Sequence, residues 1–551
     1  MLRAAKPRSR VVFVDRLNAA LSLTIGNQTF AVVAGNIKRF QIDIASWGFT
    51  AEAEWWSVSQ TSQIEDLLFA SFMTNDLATV VMTIKRTFDE VDEAATPMTL
   101  TGLVMDKSVT ERTTPSVANA PVLQRRYNIR FADRASVLWR QHYPNALYVD
   151  KTIKDLIEDN KPTGLTMTYT WAPGDVTHPV LSLGLGAAEN DASFYDFMFW
   201  LAHARCGGLY YDTASDSYSL VDAKPTADTP MSADIAEVAA LSAVFPARSR
   251  STVSVLNAFT DAATAKTSIP NTESVTGVRK EFLIRSSVSS DMDDRVALET
   301  LRARQPAPEV RLTLQRYPAL AYKPSTRVTF DTVFSANIFQ HGNTYRVMTM
   351  RIAAMAESPE AGDDTDEPSN RYKMDYEVAL EVDSDTAFRY PEFKTPRWPF
   401  HVEGKVLSET GQEADGTYQS YQDQTTSLDF YKVKIPLWRD AKVIVSYEPN
   451  LLTGHFYFPV YRDARVLIAL EFDRGGIAAF LDWRPGARLP LDSQGNQILV
   501  GKSAKNQTSI SHAYEDAKPE LTILRTMDTD TQTIKISEGT IRFETKDDGG
   551  S

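Results

Sequence analysis

Apolar residues recur at every second position through much of this chain. That period marks strands with one buried face. It is clearest at Tyr372-Met374-Tyr376-Val378-Leu380-Val382. Val11 to Val14, Leu21-Leu23-Ile25, Thr29 to Val33, Arg39 to Ile44 and Thr50 to Trp56 also read as strands. So do Leu77 to Ile84, Leu100 to Val104 and Gln124 to Phe131. Gly26-Asn27 is a hairpin turn. Short strands separated by turns predict a barrel or sandwich.

From 133 to 210 the character changes. Asp133 can cap a helix carrying Ala135, Leu138 and Trp139, and Lys151 to Ile157 begin a second, short helix. Ser193 N-caps a third, in which Phe194, Phe197, Met198 and Leu201 fall at i, i+3, i+4 and i+7 and form a core-facing stripe. Gly207-Gly208 should end it. Strands resume at Gly208 to Tyr211 and Tyr218 to Val221. Met292 to Arg304 reads as an exposed charged helix, and Glu309 to Leu314, Arg327 to Phe330 and Thr344 to Ile352 as strands. Residues 357–370, acidic and rich in breakers, read as a solvated loop rather than a catalytic carboxylate cluster.

Phe388-Arg389 and the prolines Pro391, Pro396 and Pro399 follow the Tyr372 to Val382 strand. Proline fixes φ and removes a donor, so this segment is a stiff crossing rather than a strand. A new strand opens at His401 and passes Gly404. Tyr431 to Trp438, Phe456 to Pro459, Ala464 to Phe472 and Ile477 to Leu481 then suit a small OB-like barrel. Thr531 to Glu544 reads as two strands around Glu538-Gly539, with Ile534 and Ile536 on one face and Ile541 and Phe543 on another. Such a ribbon has too few apolar groups to stand alone, and its edges need partners.

Charge and composition exclude several classes. The net charge of −13 argues against a nucleic-acid-binding face. A single cysteine, Cys206, forbids an intrachain disulfide and reads as a structural thiol. The basic N-terminus MLRAAKPRSR makes a poor secretory signal, because Asp15 and Arg16 interrupt the apolar run that follows. No apolar window reaches the length of a membrane span. The seven histidines, His142, His178, His203, His341, His401, His455 and His512, are scattered, so no zinc site is expected. Nucleotide-binding glycine motifs and the nucleophile elbow are absent from the sequence, so no cofactor or enzyme activity is expected.

The order of strand, Phe388-Arg389, proline-rich crossing and V-x-G-x-V strand resembles the hub-to-spike junction of the VgrG family, the tail spikes of type VI secretion and related contractile injection systems. The helix from Ser193 with its Gly208-Leu209-Tyr210-Tyr211 strand, Tyr431 to Trp438, and Phe458-Pro459 through Ile468 are similar to further elements of that family. Departures at Arg462-Asp463-Ala464-Arg465 and Asp473-Arg474-Gly475-Gly476 mark a divergent member.

The resemblance implies a mainly β fold with some α. Its parts are a first hub barrel (1–132), a mixed α/β hub domain (133–240), a second hub barrel (241–397), an OB-fold (398–505) and the start of a triple-stranded β-helix (506–551). It implies a homotrimer with Ile534, Ile536, Ile541 and Phe543 facing the three-fold axis. Phe388, Arg389, Pro396, Pro399 and Gly404 set the junction. The implied partners are a hexameric inner tube, a PAAR-type tip protein, baseplate proteins and effectors. The implied route is synthesis in the cytoplasm and delivery out of the cell or on an extracellular particle. The alternative is a receptor- or glycan-binding multi-domain β protein of a phage tail.

Overall fold

The computed structural model describes residues 13–60, 66–87, 95–114, 122–225, 229–333, 343–407, 421–422, 429–446, 463–481, 496–503 and 505–547. Expectations for Val11-Val12, His341, His455, Arg462 and the strand Phe456 to Pro459 lie outside the described residues. Two units emerge. One comprises residues 1–143, 160–174 and 191–396, and the other 144–159, 175–190 and 397–551.

The first unit is built on a 13-stranded sheet. Its order runs Thr344–Ala356, Ile37–Ala45, Gly48–Gln60, Val122–Ala132, Met98–Thr114, Ala78–Arg86, Phe13–Ile25 and Asn370–Val382. Asn370–Val382 also pairs with Thr344–Ala356, so these eight strands close into a ring. Closure removes the unpaired edges that open sheets carry. The long pair Thr344–Ala356 and Asn370–Val382 extends beyond the ring. There it pairs with Arg327–Thr329 on one side and Glu309–Leu314 on the other. Strands from 1–132 and 241–397 thus share one sheet.

The period-2 reading explains the interior. Leu17, Ala19, Leu21, Leu23 and Ile25 are all buried along one strand. Gly26 takes φ +58 in the expected turn, where Ile25 pairs with Gln28. The second helix occupies Ile153–Asp159, and the charged helix Ser289–Arg302, which packs Met292 on a small three-stranded sheet around Val253, Val255 and Ile269.

The central region also holds three strands that the sequence reading did not assign: Asn145–Thr152, Thr166–Thr170 and Thr177–Gly184. The first and third pair with each other, and Val180 joins the apolar core of the second unit. Tertiary burial decides their conformation rather than local period. The 357–370 segment also does more than meet solvent. Its backbone accepts from buried Lys38 at Asp363 O (2.6 Å) and from Gly35 N at Glu367 O (2.8 Å).

In the second unit, Phe400–Val406, Arg465–Leu470, Gly475–Phe480, Ala441–Ser446 and Asp429–Ile435 close into a five-stranded barrel. Val406, Tyr431, Val433, Val445, Val466 and Ile468 fill it. The strand expected to reach Trp438 stops at Ile435, and Pro436–Trp438 form a 3-10 turn. Pro436 has no N–H for the ladder. The C-terminal ribbon is larger than expected. Asn496–Ser503, Asn506–Glu515, Lys518–Met527, Asp530–Ser537 and Thr540–Lys546 form a five-stranded antiparallel meander.

Candidate interaction sites

The helix Phe194–Ala204 begins at a full capping box, in which Ser193 and Asp196 satisfy each other's backbone N–H groups. Phe194, Phe197, Met198 and Leu201 are buried as expected. The helix end differs from expectation, because Cys206 takes the left-handed conformation (φ +55) rather than a glycine. The glycines serve close approach instead. A Cβ on Gly207 would lie 2.6 Å from Trp171 Nε1, and one on Gly208 2.5 Å from Phe388 Cε1. Phe388 therefore seats on a surface only glycine can offer.

The segment after Val382 has no regular structure until Phe400, which agrees with a proline-stiffened crossing. It is nonetheless stitched down. Tyr390 Oη donates to Gly207 O at 2.7 Å, and Lys394 N to Asp196 Oδ1 at 3.1 Å. Pro396 is buried and Pro399 exposed. Gly404 lies within the barrel strand opposite Val466, where a Cβ would approach Ile468 Cδ1 to 2.7 Å.

Arg389 joins a buried ion cluster. Its Nη1 donates to Glu309 Oε1. Arg346, 2% exposed, donates to Glu381 Oε1 at 3.0 Å and to Asp383 Oδ1 at 2.5 Å. Lys224 Nζ donates to Glu381 Oε2 at 2.7 Å and lies 3.8 Å from Asp385. Burial pushes the Glu381 carboxyl up and the Lys224 amine down from their ordinary values. An open cleft of about 600 Å³ runs over the cluster, walled by Trp47, Tyr195, Tyr210 and Met348. Of this group only Arg389 and Tyr210 were legible in the sequence, through the resemblance. Lys224, Arg346 and Glu381 are far apart in the chain and carry no local signal.

The C-terminal meander has two unlike faces. Register places Ile498, Ile510, Ile523, Ile534 and Phe543 in one cross-strand row. His512, Leu521, Ile536 and Ile541 form the next row on the same face. All four residues expected at the axis share one face rather than the two expected, because Ile534 pairs with Phe543 and Ile536 with Ile541. The opposite face carries Glu520, Lys535, Arg542 and Glu544, with Lys535 Nζ 2.7 Å from Glu520. In the single chain Ile541 is 63% and Phe543 76% exposed.

Among the described residues no cluster of histidine, cysteine or carboxylates could hold a metal ion, and no helix is long and apolar enough to cross a membrane. The Cys206 thiol is half-buried, and burial raises its pKa.

No family model matches the sequence, and no curated protein does. The fold has solved counterparts. A chain of the lidded Francisella PdpA–VgrG complex aligns with a TM-score of 0.71 at 13% identity, over 98% of this chain and 81% of that one. A chain of the lidless PdpA–VgrG complex gives 0.69 at 12%, over 98% and 100%. The half-lidded Francisella complex gives 0.70 at 13%, over 96% and 88%. At such identities the likeness is one of fold. The chain thus has a tail-hub-like, mainly β fold shared with a chain of the PdpA–VgrG complex, as its resemblance to the VgrG family implies.

Proposed function

We propose that this chain is a structural hub and spike subunit of a contractile injection machine. Three copies assemble about one axis, the hub unit caps a hexameric inner tube, and the C-terminal sheet starts the spike. The spike leads through the target envelope and carries a PAAR-type tip protein and effectors. Baseplate proteins hold the hub, and the role is mechanical rather than catalytic. The five-stranded barrel is the OB-fold of such a spike.

The observation that carries this reading is the C-terminal sheet. An apolar face with Ile541 and Phe543 mostly exposed, backed by a charged face, is stable in water only when covered. Three copies would cover each other's apolar rows and pair the exposed strand edges, and closed three-fold symmetry stops the association there. Fold likeness to a chain of the PdpA–VgrG complex over almost the whole length supports the same reading. Electron microscopy of the purified chain tests it. The expected particle averages show three-fold symmetry with one narrow end; single-copy or two-fold particles would refute it.

A further inference from the structure

His512 interrupts the apolar face of the C-terminal meander. It lies within the strand Asn506–Glu515 and is half-buried in the single chain. Register sets it opposite Leu521, and its row continues through Ile536 to Ile541. The adjoining row is Ile510, Ile523, Ile534 and Phe543. Strands in a sheet stand about 4.8 Å apart, so His512 is about 10 Å along its row from Ile536. A partner surface that covers the whole row covers His512 as well.

The surroundings offer the imidazole no countercharge. On its own strand the neighbours on this face are Ile510 and Tyr514, and the Tyr514 ring stands edge-on with centroids 5.2 Å apart. Across the strand pairs His512 meets Leu521 on one side and Asn496 on the other, with Pro519, Ile523 and Ile498 on the diagonals. Glu515, Glu520 and Lys535 lie on the opposite face, where Lys535 bridges the two carboxylates. Arg525 shares the face of His512 but stands two rows away, about 13 Å along the strands, and donates to Gln532 at 2.9 Å. The ion pair of Lys518 with Glu538 sits at the turns beyond Pro519.

Three-fold assembly, on which this inference rests, brings three copies of the row together. Symmetry then sets the three imidazoles at one height along the axis. Neutral imidazoles can be covered there at modest cost. Protonated ones would lose water without gaining a partner and would repel one another. Imidazole is also the side chain that changes charge between about pH 5 and 8.

We infer that His512 makes the spike assembly acid-sensitive: the trimer forms with neutral imidazoles and comes apart when they are protonated. The assembled chain binds these protons less tightly than the free chain. Association is therefore full above the imidazole range and is lost as pH falls through it.

Sedimentation velocity on the full chain, over a dilution series at pH 8 and at pH 5.5, tests this. The concentration at which half the chain is trimeric should rise at least tenfold at the lower pH. His512→Gln and His512→Leu should both remove most of that step, with circular dichroism showing that the sheet is kept. Two substitutions guard against one of them failing to fold, and each cancels the titration of groups elsewhere in the chain. A wild-type trimer equally stable at both pH values, or the same step in a folded variant, would overturn the role of His512 and leave the trimer standing. A monomer already at pH 8 would instead overturn three-fold assembly itself, and this inference with it.

Discussion

Asp15 shows how much a single side chain can carry. It sits in the strand Phe13–Ile25 with 1% of its surface exposed. Oδ2 accepts from Tyr317 N at 2.7 Å, and Oδ1 has no partner. Burial pushes its carboxyl up to about 6, against the pull of Arg316 and Arg86 and with a push from Glu237. The folded state therefore holds the proton more tightly than the unfolded chain. Stability from this group is fully present below about pH 4 and is lost as pH rises to about 6. Asp15→Asn keeps an acceptor for Tyr317 without the charge. It should raise stability at pH 7 by up to about 3 kcal/mol and change little at pH 4. Denaturant midpoints at the two pH values check this; equal gains at both would refute the desolvation account. In the sequence Asp15 reads only as a break in an apolar run. Its partner lies 302 residues away, and buried Lys38 likewise reaches Asp363 across 325 residues. By contrast, the Ser193 cap is legible because Asp196 is its neighbour.

At the scale of elements, period carried most of the information. Strands such as Ile37–Ala45 and Val122–Ala132 and the helix Phe194–Ala204 follow directly from apolar spacing. The hairpin of Asn145–Thr152 with Thr177–Gly184 did not, because its apolar residues are buried by strands of a barrel distant in the chain. The C-terminal meander was half legible: alternation marked its last two strands but not the three before them. Its apolar face makes a sharp prediction. Ile536→Asp should weaken trimer formation at least tenfold, since it would place a charge in a dry interface. Sedimentation velocity over a concentration series reads this, with circular dichroism to show that the sheet content is kept. Unchanged trimer stability would refute the axial assignment of Ile534, Ile536, Ile541 and Phe543.

At the scale of the whole molecule, strand pairing over long range decides the architecture. The eight-stranded ring closes only when Phe13–Ile25 meets Asn370–Val382. No local pattern records that meeting, so the sequence suggests barrels without showing which strands share them. The five-stranded barrel likewise draws in a distant hairpin. Ser182 N donates to Phe472 O at 2.8 Å, and Val180 is 2% exposed against the barrel core. A fragment of residues 397–551 lacks this cover. It should bind a hydrophobic dye and melt without a cooperative transition, whereas adding 144–190 through a short linker should restore one. A fragment that melts cooperatively alone would contradict the shared core. The central claim is three-fold assembly, and the most direct measurement is the solution mass of the purified chain by light scattering after gel filtration. A mass near three times 61.5 kDa is the predicted result, and a monomer at micromolar concentration would contradict it.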